Sequence, residues 1–305
     1  MKLLALVLLI SAFSSLTLME VVNDFSSRKC SEFFIKNQNH IITPTVLEGE
    51  QYERICQRWK NVYRFATLYD TNNRIPVYSA YKYYGIDPPG RKKNKTVSWK
   101  NEPQLENPSD TADMKKIEGD EIDVYYNQAV NRDYLESNRI NDIKYTRGHV
   151  FPRGYAADED QADSTFTFTN VAPQTNYSNS EWERQVETPM KDEIKNRCTP
   201  NNNNPTYIVT GVVPGNKWIP IKRKDNNKVK GEGVNIPTYY WTAYCCVHNN
   251  VRISKGFLSQ QNQPDGRTHE FTEMRVNILN GRLTELYKKS LLKKTFKVFG
   301  DLCLT

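Results

Sequence analysis

The chain has 305 residues, and its 42 Lys and Arg against 35 Asp and Glu leave a formal net charge of +7. Hydrophobic residues make up 38%, charged residues 25% and aromatics 11%. That balance excludes a disordered or collagen-like chain and supplies apolar surface for one large domain or two small ones.

Lys2 precedes an apolar run from Leu3 to Leu18, interrupted by Ser11, Ser14, Ser15 and Thr17. A positive start, a short apolar stretch and small residues behind it read as a secretory signal peptide over residues 1–19, cleaved near Thr17 to Glu20. The run falls short of the roughly 20 apolar residues that span a bilayer. Removing it takes away Lys2, so the remainder carries 7 − 1 = +6. No later run is long enough to span, and a secreted, extracellular protein is expected.

An oxidising route makes the cysteines readable. Cys30, Cys56, Cys198, Cys245, Cys246 and Cys303 form an even set, for which disulfides are expected. Six cysteines allow 15 complete pairings. Cys245 and Cys246 are adjacent and point to opposite faces of a strand, so each is expected to reach a distant partner. Cys30 with Cys56 would close a local loop, and Cys303 would pin the C-terminus. No spacing suits zinc.

A helical stretch is read from Glu50 to Trp59. Asn61 to Tyr69 and Ile75 to Tyr84 alternate Val, Tyr and Phe around Asp70-Thr71-Asn72-Asn73, the pattern of a β-hairpin. Residues 87–122 read as a long surface excursion, and Asp123 to Arg139 as loosely helical. Ile143 to Val150 and Thr165 to Asn170 are short strand candidates, followed by a helical pattern from Asn179 to Arg197. Thr206 to Val213 and Pro237 to Val247 are rich in β-branched and aromatic residues and read as strands, with a basic loop from Lys217 to Gly233 between them. His269 to Lys294 reads as one helix or two. Without repeats or low-complexity linkers, residues 20–305 are expected to form one α+β domain with largely antiparallel strands.

The chemistry concentrates in the middle. Tyr145-Thr146-Arg147-Gly148-His149 ends a strand and holds one of only four His. Asn170-Val171-Ala172-Pro173-Gln174 follows, then Asn179 at a helix start, with Trp182, Glu187 and Lys191 beyond it. On an ideal helix, Asn179 and Glu187 lie about 800° apart, two turns plus about 80°. Lys191 lies four residues past Glu187, on the same side. Singly, each residue has a plain structural use: a satisfied His, an N-cap, a surface ion pair worth a few tenths of a kcal/mol.

Together they resemble the DNA/RNA non-specific endonucleases of the ββα-metal superfamily, and most closely the secreted vertebrate proteins like endonuclease domain-containing 1. The family's Asp-Arg-Gly-His corresponds to Thr146-Arg147-Gly148-His149, its Asn-x-x-Pro-Gln to Asn170 through Gln174, and its helix to Asn179, Trp182 and Glu187. Ile208-Val209-Thr210-Gly211 and Ile236-Pro237-Thr238-Tyr239-Tyr240-Trp241 resemble its later strands. The resemblance covers about residues 60 to 290 and implies a ββα-metal motif packed on a mainly antiparallel sheet with flanking helices.

It further implies a Mg²⁺-dependent (or Mn²⁺-dependent) endonuclease cleaving DNA and RNA through phosphate contacts. His149 would be the general base, Asn179 the metal ligand, and Glu187 the holder of a water beside the ion. Arg147 and Lys191 would neutralise phosphate, and Asn170 would support the site or touch substrate. The family's Arg stands as Lys191 here, which keeps the charge without the bidentate fork. Its leading Asp stands as Thr146, which removes a negative charge. The alternative reading is therefore a catalytically impaired nuclease fold that binds nucleic acid or another partner without turnover. Sequons occur at Asn94 and Asn176, the second three residues before Asn179.

Overall fold

The structure is a computed structural model and describes residues 20–26, 30–90, 97–117, 125–135, 143–221, 233–262, 270–291 and 294–304. The expected signal peptide, the Asn94 sequon, His269 and the basic runs Arg91-Lys92-Lys93 and Lys222-Arg223-Lys224 lie outside these residues.

The N-terminal part runs β1 (Val21–Val22), the small ribbon β2 (Ile35–Asn37) and β3 (His40–Ile42), then β4 (Tyr52–Trp59), β5 (Val62–Asp70) and β6 (Ile75–Tyr83). Lys60 and Asn61 both take positive φ, 53° and 63°, which gives the β4–β5 hairpin the twist of its strands. The expected helix over Glu50 to Trp59 is strand β4 instead. Its Ile55, Cys56 and Gln57 are fully buried against sheet neighbours on both sides, and that tertiary environment overrides local propensity. The hairpin expected around Asp70 is present as β5 and β6, and Asp70 Oδ1 accepts the backbone N–H of Asn72 and Asn73 at 3.0 and 3.0 Å.

Next come β7 (Lys100–Asn101), β8 (Lys115–Lys116) and α1 (Asn131–Leu135). The segment read as a surface excursion instead buries Asn101, Glu102 and Leu105. Then follow β9 (Tyr145–His149), α2 (Glu159–Ser164), β10 (Val171–Thr175), α3 (Asn176–Trp182), a π-helical turn (Glu183–Glu187) and α4 (Thr188–Cys198). The strand expected over Thr165 to Asn170 begins only at Val171, because Phe168–Asn170 closes a 3₁₀ turn.

The rest comprises β11 (Thr206–Val213), β12 (Lys217–Ile219), β13 (Val234–Ile236), β14 (Tyr239–His248), β15 (Val251–Gln260), β16 (Phe271–Met274) and α5 (Val276–Leu286). Phe271 and Met274, read as helical, belong to β16. Asn249 and Asn250, φ 49° and 62°, turn β14 into β15 by the same device as Lys60 and Asn61.

Among the described residues, one eight-stranded sheet dominates, in the order β1-β4-β5-β6-β11-β14-β15-β16, with every neighbouring pair antiparallel. This is the α+β architecture expected from the sequence. Strand alternation divides its residues into two cores. Ile208, Val212, Tyr240 and Tyr244 meet Phe151, Tyr155, Trp182, Met190 and Ile194 on one face. Val209, Val213, Trp241 and Ala243 meet Leu279, Leu283 and Phe296 on the other. Disulfides join Cys30 to Cys56, Cys198 to Cys246 and Cys245 to Cys303. The adjacent cysteines thus tie α4 to one face and the C-terminal segment to the other.

Candidate active site

β9 and β10 form a two-stranded antiparallel ribbon apart from the main sheet, with His149 opposite Val171 and Thr146 opposite Gln174. The chain passes from β10 straight into α3, which completes a ββα unit. Pro173 is tolerated because a ribbon of two strands has free edges. Gly148 marks a close approach: a Cβ there would lie 2.0 Å from Gln174 Oε1 and 2.8 Å from the Tyr240 hydroxyl. That hydroxyl donates to the Ala172 carbonyl at 3.1 Å and so moors the ribbon to β14.

His149 ends β9, with its ring against Phe166 (4.8 Å between centroids) and Trp99 (5.9 Å). Nε2 is buried with no partner, and the Arg147 backbone carbonyl favours the protonated ring. Burial, reinforced by the charges of Arg147, Arg153 and Lys100, lowers its pKa to about 4. The imidazole is therefore neutral at physiological pH.

α3 begins with Thr175 as N-cap, whose Oγ1 accepts the Ser178 N–H at 3.1 Å. Asn179 lies in its first turns, half-buried, and its side-chain amide bonds to none of the described residues. The π turn then corrects the helical phase. A turn closed i→i+5 absorbs one extra residue, about 100° of rotation, which reduces the offset of about 80° between Asn179 and Glu187 on an ideal helix to about 20° of opposite sign.

Asn179, Glu183, Glu187 and Lys191 accordingly line one cleft of about 220 Å³ with His149, Arg153 and Tyr155. Glu187 is held by burial, and next by the charge of Glu183, at a pKa of about 8, against the lowering influence of the Trp182 indole and Lys191. The Tyr155 hydroxyl donates to the Glu187 carbonyl at 2.5 Å. Asn176 of the second sequon is exposed on the first turn of α3, whereas Ser178 is buried.

The donor set is all oxygen: one amide and two carboxylates facing solvent-accessible space. That suits a hard ion which keeps several of its waters. Among the described residues no three His, Cys, Asp or Glu converge as a closed metal cage. An ion held by Asn179 and waters requires none.

Two motif residues take other positions than expected. Asn170 is fully buried, so contact with substrate is ruled out by geometry. Its Oδ1 accepts the Phe151 N–H at 2.9 Å and the Ser79 hydroxyl at 3.0 Å, and its Nδ2 donates to the carbonyls of Phe151 and Thr165 at 3.0 and 3.0 Å. It fixes the backbone that follows His149. Arg147 is absent from the cleft lining. Its guanidinium lies 4.7 Å from the Trp99 ring centroid, within 5.6 Å of those of Tyr134 and Phe168, and donates to Asn131.

Thr146 alternates away from His149 along β9 and donates to the Gln174 carbonyl at 3.0 Å. The cation that sequence reading missed is Arg153, two residues past the Val150-Phe151 pair and outside every motif. Its only sequence signal is proximity to His149. A larger hollow of about 280 Å³ between β14, β15, β16 and α5 contains none of His149, Asn179, Glu187 and Lys191.

Residues 48–282 match the DNA/RNA non-specific endonuclease family. The chain is 30% identical over 241 residues to the Homo sapiens endonuclease domain-containing 1 protein and 29% identical to the Mus musculus one. Each match covers 78% of this chain and 42% of the relative, so the chain spans less than half the length of these relatives. A solved structure of the EndoG/EndoGI complex aligns with 66% of this chain and 72% of that one, at 17% identity and a TM-score of 0.43.

Proposed function

The chain belongs to the DNA/RNA non-specific endonuclease family, and from that membership we propose that it is a secreted, Mg²⁺-dependent endonuclease hydrolysing phosphodiester bonds in DNA and RNA. The observation that carries this reading is the neutral His149 ring lining one cleft with Asn179, Glu187 and Lys191. A neutral imidazole with a free lone pair accepts a proton from an attacking water at pH 7. Asn179 would hold the ion, with Glu187 and Glu183 adding charge beside it. When bound, Mg²⁺ stabilises the developing charge on phosphorus-bound and leaving oxygens.

Glu187, protonated up to about pH 8 without metal, would be ionised beside the ion and hold the water that gives the leaving oxygen its proton. Lys191 and Arg153 face the same space and offer charge to phosphate oxygens. Arg147 and Asn170 position the His149 backbone. We read residues 20–305 as one catalytic domain, with the segment closed by Cys30–Cys56 as its N-terminal extension, exported by the signal peptide over residues 1–19.

Thr146 bears on the alternative of a binding protein without turnover. Its hydroxyl is used on the ribbon, away from the cleft, so loss of the family's Asp charge there leaves the His149 and Asn179 groups in place. The assay is cleavage of supercoiled plasmid and of a structured RNA by the purified protein in Mg²⁺ and in chelator. The proposal expects cleavage of both, abolished by chelator. Binding of both without cleavage in Mg²⁺ contradicts it and supports the alternative.

A further inference from the structure

Residues 84–90 cross from β6 toward the cleft, and their one carboxylate reaches the cleft's cations. Asp87 Oδ1 lies 3.3 Å from Lys191 Nζ, and its Oδ2 lies 2.7 Å from Lys195 Nζ. The Tyr83 hydroxyl also donates to Asp87 Oδ1 at 3.5 Å. The neighbouring Pro89 carbonyl accepts from Arg153 Nη2 at 3.0 Å, and the same nitrogen meets Glu159 at 3.3 Å.

Both cleft cations are thus engaged by one short segment. The segment is stiff: Gly85 takes φ +79° with Pro200 packed against it, and Pro88 and Pro89 fix φ beyond Asp87. Lys195 first, and Lys191 with it, hold the Asp87 carboxyl below its ordinary range, so it is ionised throughout the working pH. An ionised carboxylate on a lysine ammonium makes the same charge-assisted contact that a phosphate oxygen would make.

We propose that Asp87 occupies the phosphate seat on Lys191, so that the 84–90 segment sets how tightly the cleft holds nucleic acid. This rests on the nuclease reading of the cleft and specifies how that cleft is restrained. The pair is displaceable because Asp87 is 53% exposed, and exposed ion pairs are weak. Substrate phosphate therefore exchanges with Asp87, at a cost in affinity.

The test measures binding of a fluorescein-labelled single-stranded DNA 20-mer in chelator over a range of salt. Asp87→Asn should bind roughly 2–5-fold tighter than wild type, and the slope of log K against log salt should steepen by about 0.7, one added phosphate contact on a single strand. Asp301→Asn makes the same charge change at a side chain that is 82% exposed and paired with Lys297, and should change neither quantity. Adding Lys191→Gln to Asp87→Asn should remove the gain.

Unchanged or weaker binding by Asp87→Asn overturns the proposal, as does an equal gain in Asp301→Asn or a gain that survives Lys191→Gln. Cleavage in Mg²⁺ reads the nuclease assignment separately. A wild type that binds without cutting defeats that assignment and leaves the affinity ratio a valid test of Asp87. A wild type that cuts, with no gain in Asp87→Asn, defeats Asp87 alone. Strand binding by neither protein defeats both.

Discussion

At the scale of single residues, two shifted pKa values give the site its pH behaviour, with opposite signs. His149 is lowered from 6.5 to about 4, so the unfolded chain binds more protons between those values. Stability from this group should be flat above pH 6.5 and fall as the pH drops toward 4. Glu187 is raised from 4.5 to about 8, so in chelator stability should fall as the pH climbs through that window. Thermal melts of wild type and Glu187→Gln in chelator check this: the loss between pH 4.5 and 8 should shrink in the variant.

Metal must displace the Glu187 proton, so Mg²⁺ affinity measured by calorimetry should rise up to about tenfold per pH unit below 8 and level off above it. Equal affinity at pH 6.5 and 8.5 would contradict the placement of Glu187 beside the ion. Gly148→Ala should cost about 1–3 kcal/mol in denaturant unfolding, because its Cβ meets Gln174 and Tyr240. It should also lower activity by shifting the ribbon that presents His149.

The motif letters identified His149, Asn179, Glu187 and Lys191 as cleft residues. They did not distinguish them from Arg147 and Asn170, whose burial and aromatic surroundings are set by residues distant in the chain, such as Ser79 and Trp99. Arg153 carries no motif, so only the fold brings it to the cleft.

At the scale of elements, the helix that carries Asn179 is held at three points: its cap, its phase and its far end. Thr175→Ala removes the cap and should destabilise the protein by about 0.5–2 kcal/mol. Cys198–Cys246 ties the last residue of α4 to β14. Replacing both cysteines by Ser should cost about 2–5 kcal/mol, read as a lower melting temperature. Retention of the wild-type melting temperature would mean that core packing of Met190 and Ile194 alone suffices to hold α4.

Sequence patterns located α3 through α4, β11 and β14 because periodicity and β-branching there agree with the final environment. They misread β4 as a helix, since a strand loses its alternation when both its faces are buried. The π turn was also invisible, because an inserted residue shifts phase without changing composition.

At the scale of the whole molecule, the net charge of +7 is mild, and many surface cations are paired, including Lys191 and Lys195 with Asp87 and Lys255 with Glu193. Association with nucleic acid is therefore expected to rest on few phosphate contacts and to depend on local cations more than on a broad basic field. The eight-stranded sheet separates two cores and holds the ββα unit on one of them through Tyr240 and the Trp182–Ile194 face.

The central claim is that this unit presents a neutral His149 as the base for metal-dependent cleavage. The most direct measurement is the initial rate of plasmid cleavage in saturating Mg²⁺ at pH 8 for wild type and His149→Ala, with strand affinity in chelator measured alongside. The account predicts a rate lower by roughly 10²–10⁴-fold at unchanged affinity. A variant cutting within about twofold of a chelator-sensitive wild type would contradict it.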